Sequence, residues 1–331
     1  MLLLLPSSNM LRVLSLSSLR GFGARQSRSF SSLAVIKALR ERTGAPILEC
    51  KNALQQDSVN GDIEKAVDWL RKNGVAAAAK RADKDAAEGL VGVAVSDCGK
   101  IGALVQLNSE TDFVARNELF QKLLQNLTER TLDMGSDQLS QYKDLTAALL
   151  EDCGDDIADL GGKVRENIKL ARAEVVNTST AEEGFVASYV HNALAPGMGT
   201  VGCLVGIERV DGGKEASLLL GQQVALHVAA AAPLYLNVAS VPVEATERES
   251  AVLREQALAS GKPENIVDKM IQGRIKKFYS EHCLVDQEFV VDDSKRSVKK
   301  VVSSEGGEKA SLIGFAWRKT GGTASGEKSG F

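Results

Sequence analysis

Asp112 and Phe113, within the run Thr111-Asp112-Phe113-Val114-Ala115-Arg116-Asn117-Glu118, set a carboxylate beside a phenyl ring just after the apolar stretch Ile101 to Leu107. That order predicts a buried strand and then a helix over Asp112 to Leu127, with Phe120, Leu123, Leu124 and Leu127 on one face at helical spacing. Ser109 is the candidate N-cap. Two readings of the pair fit. Phe113 stands seven residues before Phe120, so it can extend the buried stripe while Asp112 complements the helix dipole. Alternatively, acid and ring form an exposed wedge that enters a partner.

Elsewhere the chain lacks the pattern of a reacting centre. Its five cysteines (Cys50, Cys98, Cys153, Cys203 and Cys283) are far apart, which fits reduced thiols in a reducing compartment; the expected state is buried and inert, with a reactive thiol as the alternative. The three histidines (His191, His227 and His282) have no ligand spacing, so no metal site is expected. There is no phosphate loop of the Walker type. The stretch Gly197-Met198-Gly199-Thr200-Val201-Gly202 lies between strands, where no helix N-terminus receives a phosphate, and is read as a hairpin loop. No nucleophile-elbow pattern is present. The expectation is a protein with no catalytic residues, no cofactor and no nucleotide of its own, and therefore not an enzyme.

The elements that position Asp112 and Phe113 are legible on both sides. Residues 33–74 give three short helices. The first turns Leu33, Ile36 and Leu39 inward, and Pro46 starts a second lined by Ile47, Leu48 and Leu54. Asp62 caps a third through Val67, Trp69 and Leu70, ended by Gly74. Ala76 to Lys84 is a linker or short helix. Glu88-Gly89-Leu90-Val91 and Gly102-Ala103-Leu104-Val105 then return as Glu183-Gly184-Phe185-Val186 and Gly202-Cys203-Leu204-Val205, each pair followed by a long helix. Adjacent strands joined by short loops are antiparallel, so the fold class is α+β: an N-terminal three-helix bundle, then two related strand-strand-helix half-domains. Leu139 to Ala173 is helical, turning strand-like near Ile168 to Val176. Glu244 to Phe278 is an inserted helical hairpin. Leu253, Ala257 and Leu258 stripe one arm, Ile266, Val267, Met270, Ile271, Ile275 and Phe278 the other, and Ser260-Gly261-Lys262-Pro263 makes the turn. Glu288 to Val291 and Ser311 to Trp317 complete the second half-domain as strands, and Thr320 to Phe331 is a polar, disordered tail.

At 331 residues, more than one core is expected. The boundaries expected are 31–76 for the bundle, 77–180 for the first half-domain, 181–240 with 284–318 for the second, 241–283 for the hairpin and 319–331 for the tail. A formal charge of −3 and 5% aromatics argue against a direct nucleic-acid binder, which shows a basic face and stacking rings. No segment approaches the roughly 20 apolar residues that span a bilayer. Residues 1–40 contain nine serines and no Asp or Glu, the composition of a mitochondrial transit peptide. A secretory signal is the competitor, but the apolar run Leu2 to Leu5 is short and ends at Pro6. Arg28-Ser29-Phe30-Ser31 suggests cleavage after Phe30, which removes four arginines and no acid and takes the charge from −3 to −7.

The run Thr111 to Glu118 resembles a signature of elongation factor Ts. Leu39-Arg40-Glu41-Arg42-Thr43-Gly44-Ala45-Pro46-Ile47-Leu48-Glu49-Cys50-Lys51-Asn52-Ala53-Leu54 is similar to that family's N-terminal signature, and His227-Val228-Ala229-Ala230 to a third segment. The three occur in the family's order, and the resemblance covers residues 33–318. The N-terminal extension points to the mitochondrial type. The resemblance implies a ubiquitin-associated-like N-terminal bundle, an antiparallel coiled-coil projection at 244–278, and guanine-nucleotide exchange on mitochondrial elongation factor Tu, in its GDP-bound and nucleotide-free forms, in the mitochondrial matrix. It also implies partner-binding residues. Asp112 and Phe113 would be the wedge beside the partner's Mg²⁺ and nucleotide, with Thr111 a further contact residue. Lys37, Arg40, Ile47 and Leu48 would meet the same domain, and Val201, Gly202 and His227 the partner's third domain. Pattern alone makes His227 a satisfied helix histidine.

Three departures from the bacterial pattern stand out. Asn192 to Gly199 lengthens the loop before Val201, Pro46-Ile47-Leu48 stiffens the N-terminal contact, and a polar tail replaces a C-terminal helical module. The competing readings are a ubiquitin-binding interaction protein without exchange activity, a cysteine hydrolase and an RNA binder.

Overall fold

The computed structural model describes residues 33–79, 84–136, 142–181, 183–259, 264–321. The expected transit peptide, the hairpin turn at 260–263 and most of the tail lie outside these residues.

The chain starts with α1 (Leu33–Thr43), α2 (Ile47–Leu54) and α3 (Ile63–Ala79). Gly44, at φ 68°, and Pro46 separate the first two, and the Asp62 carboxylate accepts the Glu64 and Lys65 amides to cap the third. Ile36, Leu39, Cys50, Ala53, Leu54, Val59 and Ala66 form their core. Three expectations change. The third helix passes through Gly74 to Ala79, Leu33 is 83% exposed, and Ile47 and Leu48, read as lining the second helix with Leu54, face solvent while Cys50, Ala53 and Leu54 take the buried face.

Two antiparallel sheets follow. The first uses β1 (Glu88–Val95), β2 (Ile101–Ser109), β3 (Tyr142–Asp144), β4 (Lys169–Asn177) and β6 (Met198–Gly199) in the order β3-β4-β2-β1-β6. The second is β5 (Phe185–His191), β7 (Val201–Glu208) and β8 (Ser311–Lys319), in the order β5-β7-β8. The α+β class and the two related units are present, and the repeat extends to backbone detail. The ladder slips between Gln106 and Leu107 in the first unit and between Gly206 and Ile207 in the second.

Each central strand is buried on both faces. Ala103, Val105 and Leu107 pack on α5 (Glu118–Ser136) and α6 (Thr146–Val164) through Phe120, Leu124, Leu127, Leu149 and Leu160. Cys203, Val205 and Ile207 pack on α7 (Gly213–Ala231) and α10 (Val298–Gly306) through Leu220, Val224, Val228, Val298 and Val301. The opposite faces meet in a third cluster of Val91, Leu104, Val176, Val186, Leu204 and Ala316. The result is four layers, helix on sheet on sheet on helix. α8 (Val243–Ala259) and α9 (Glu264–His282) form the projecting hairpin, joined by Arg254–Asp268 at 2.7 Å and packed through Leu253, Ala257 and Val267.

Local readings are corrected in four places. Glu288 to Val291 is not a strand. It makes a single bridge, Glu288 to Ser297, ahead of α10. The segment after Leu139 contains β3 before its helix. The 192–199 loop is more than a hairpin loop, since Met198 and Gly199 pair with Gly92 and Val91 at the edge of the first sheet. Leu258 faces solvent.

Candidate partner-binding site

β2 delivers the chain to a one-turn helix, α4 (Asp112–Ala115), not to a single long helix. Asn117 makes the break, because its side-chain oxygen accepts the Leu119 amide at 2.8 Å and opens α5 as a separate helix. Within α4, Val114 and Ala115 turn inward and are buried. Asp112 and Phe113 turn outward, and Phe113 is 79% exposed. Phe113 is therefore not core. A phenyl ring held in water on an ordered turn is available to a partner, and burying it yields about 1.5–3 kcal/mol. Asp112 lies 3.5 Å from the Arg116 guanidinium, both side chains open to solvent.

The turn is held from outside. Ser109 does not cap it; its buried hydroxyl donates to the Thr111 carbonyl at 2.9 Å. Thr111, at φ −129° and ψ 155°, occupies the N-cap position without a side-chain capping bond. Instead its amide donates to Glu166 Oε2 at 3.0 Å and its hydroxyl to Glu166 Oε1 at 2.6 Å. Glu166 follows Arg165, the left-handed C-cap of α6 at φ 63°. Arg165 Nη2 donates to Glu49 Oε1 of α2 at 2.8 Å. The Asn167 amide donates to Glu110 Oε1 at 2.7 Å, and its side chain to the Lys84 carbonyl at 2.7 Å. Three consecutive residues thus gather the N-terminal bundle, the linker and the Asp112–Phe113 turn. Nothing local in the sequence marks them, since Glu166 and Arg165 reach partners 55 and 116 residues away.

The bundle docks on α6 where two glycines meet. A Cβ on Gly162 would stand 3.1 Å from the Gly74 Cα, so the axes approach as closely as backbone permits. Arg71–Asp155 at 2.9 Å flanks the crossing. Docked this way, α2 exposes Ile47 (54%) and Leu48 (61%) two residues and one residue before Glu49. Lys37 and Arg40 are exposed on α1. Two apolar exposures, one from α2 and one from α4, are therefore tied to adjacent residues of one turn.

Val201, Gly202 and His227 sit elsewhere, inside the second unit. Val201 belongs to its core, and a Cβ on Gly202 would stand 2.6 Å from Val91 Cγ1 of the other sheet. His227 is fully buried. Its Nδ1 accepts the Val290 amide at 3.3 Å, so the other nitrogen carries the proton and donates to Gln287 Oε1 at 3.0 Å. Burial holds its pKa below the ordinary value, against the opposing pull of Gln287. The ring also packs against Phe289, with centroids 5.6 Å apart. All three positions are buried within the chain itself.

Among the described residues, no group of three His, Cys, Asp or Glu side chains could hold a metal ion. A cleft of about 410 Å³ between α5 and the 195–198 loop is lined by Glu118, Gln121, Lys122 and Gln125, with no Cys or His.

Residues 110–321 match the family model described as elongation factor TS, a span that opens at this turn. The chain is 44% identical over 286 residues to elongation factor Ts of Paramagnetospirillum magneticum, covering 86% of this chain and 89% of that protein. It is 44% identical over 298 residues to that of Gluconobacter oxydans, covering 90% and 94%. For Rhodospirillum centenum the identity is 43% over 288 residues, covering 86% and 91%.

Proposed function

We propose that this chain, which belongs to the elongation factor Ts family, speeds the release of GDP from elongation factor Tu during translation elongation, and does so in mitochondria. No side chain has to react for this. An exchange factor binds the nucleotide-free partner more tightly than the nucleotide-bound one, and by reciprocity the bound factor lowers the partner's affinity for nucleotide. Asp112 and Phe113 form the wedge. The ring enters the partner's nucleotide domain, and the carboxylate disturbs a site built from hard oxygen ligands around Mg²⁺ and backbone amides around phosphate. Ile47, Leu48, Lys37 and Arg40 supply a second contact that sets affinity.

The observation that carries this reading is Phe113, exposed on a turn whose backbone is pinned by a carboxylate from another element. The test is the release of labelled GDP from mitochondrial elongation factor Tu with and without the chain; an unchanged rate contradicts it.

The mitochondrial part rests on the acid-free, Arg- and Ser-rich residues 1–30. N-terminal sequencing of protein recovered from the matrix should begin at Ser31. A start before Arg20, or a secreted and glycosylated product, overturns it.

A further inference from the structure

From the way the wedge turn is mounted, we infer that Glu166 is a positioning residue for exchange: its carboxylate sets the angle at which Asp112 and Phe113 meet the partner. The inference rests on the exchange reading above. Helix α4 has four residues, too few to fix its own orientation by internal hydrogen bonding. Its N-cap residue spends its hydroxyl elsewhere, because both donors of Thr111 end on the two oxygens of Glu166. Two charge-assisted bonds from one residue to one carboxylate fix rotation as well as position. The carboxylate is itself mounted, since its neighbours Arg165 and Asn167 bond to Glu49, Glu110 and Lys84. Glu166 is half-buried and its carboxylate bonds Thr111, so it acts on the wedge through Thr111. A wedge must arrive in register with the groups it displaces, and small misplacements are costly.

The experiment measures labelled GDP release from elongation factor Tu across a titration of full-length chain. Glu166→Gln keeps the side chain's shape but leaves one acceptor oxygen for two donors. The maximum release rate at saturating chain should fall ~10-fold while the half-saturating concentration moves less than ~3-fold. Thr111→Val deletes the hydroxyl arm of the same contact and provides a second route should Glu166→Gln fold poorly. The double variant should lose no more than the worse single, because both break one interaction.

A merely structural role lowers the melting temperature and leaves the maximum rate of the folded protein intact. That result overturns the inference, as do losses that multiply in the double variant. If the wild-type chain does not speed release, the exchange reading fails and the inference with it. If the wild type is active and folded Glu166→Gln matches it, the inference alone fails.

Discussion

Arg318 of β8 donates to the carboxylate of Glu174 of β4, an ion pair buried between the two sheets. Glu174 stands two residues from the interface residue Val176, and Arg318 two from Ala316, each on the same face of its strand, so the pair belongs to the layer that joins the two halves. Removing one partner strands a charge in that layer. Arg318→Met should cost about 3–5 kcal/mol in urea denaturation, whereas Arg318→Met combined with Glu174→Met should recover most of the loss. A single variant as stable as wild type would show that water reaches the site.

Acid should expose the role of His227. Its folded pKa lies below the ordinary value of 6.5, so the unfolded chain takes up the proton first. The stabilisation is complete above the unfolded pKa and is lost as pH falls through it toward the folded value. A second donor at Nδ1 would also face the Val290 amide. Between about pH 7.5 and about pH 5.5, wild type should lose more stability than His227→Gln. Parallel pH profiles for the two proteins would contradict this.

The thiols should react in a fixed order. Cys98, expected to be buried, is exposed in the turn after β1, and the hydrogen bond with Ser96 lowers its pKa. Cys203 is pushed far up by burial, and Cys283 to about 11 by burial and nearby Asp286. Limited alkylation at neutral pH should label Cys98 first, with Cys203 and Cys283 reacting only after denaturation. Exchange should persist in the Cys98-labelled protein. Its loss would revive a role for that thiol.

The repeat was readable because a strand buried on both faces leaves a distinctive string, as in Gly102-Ala103-Leu104-Val105 and Gly202-Cys203-Leu204-Val205. Why each string begins with glycine was not readable. A Cβ on Gly102 would stand 2.7 Å from Val186 Cγ1, and one on Gly202 would strike Val91 and Val93, contacts that exist only after the sheets stack. Phe113 shows a second limit. On an unbroken helix, seven residues return it to the face of Phe120, and only the break at Asn117 turns it outward. Helix α10 carried its signal in Val298, Val301 and Val302, at i, i+3 and i+4. Glu166 carried none, because a lone carboxylate in a turn says nothing of a partner 55 residues away.

Lys37 and Arg40 test the second contact apart from the wedge. Both are exposed on α1, so Lys37→Glu with Arg40→Glu should leave the circular dichroism spectrum unchanged. Affinity for elongation factor Tu by calorimetry should drop ~10-fold or more, as reversing charges at a complementary interface does. Unchanged affinity in the folded double variant would remove these residues from the contact surface.

Phe113→Ala decides the central claim. A buried phenylalanine truncated to alanine costs about 3–5 kcal/mol, whereas a change at an exposed site stays within about 0.5 kcal/mol. With Phe113 79% exposed, the variant should melt with the wild type while its maximum rate of GDP release from elongation factor Tu falls sharply. Asp112→Asn, which keeps the side chain's shape and loses its charge, should lose part of that rate. The direct measurement is the release of labelled GDP at saturating Phe113→Ala. A slow rate from a fully folded variant is the predicted result, and a wild-type rate contradicts the wedge.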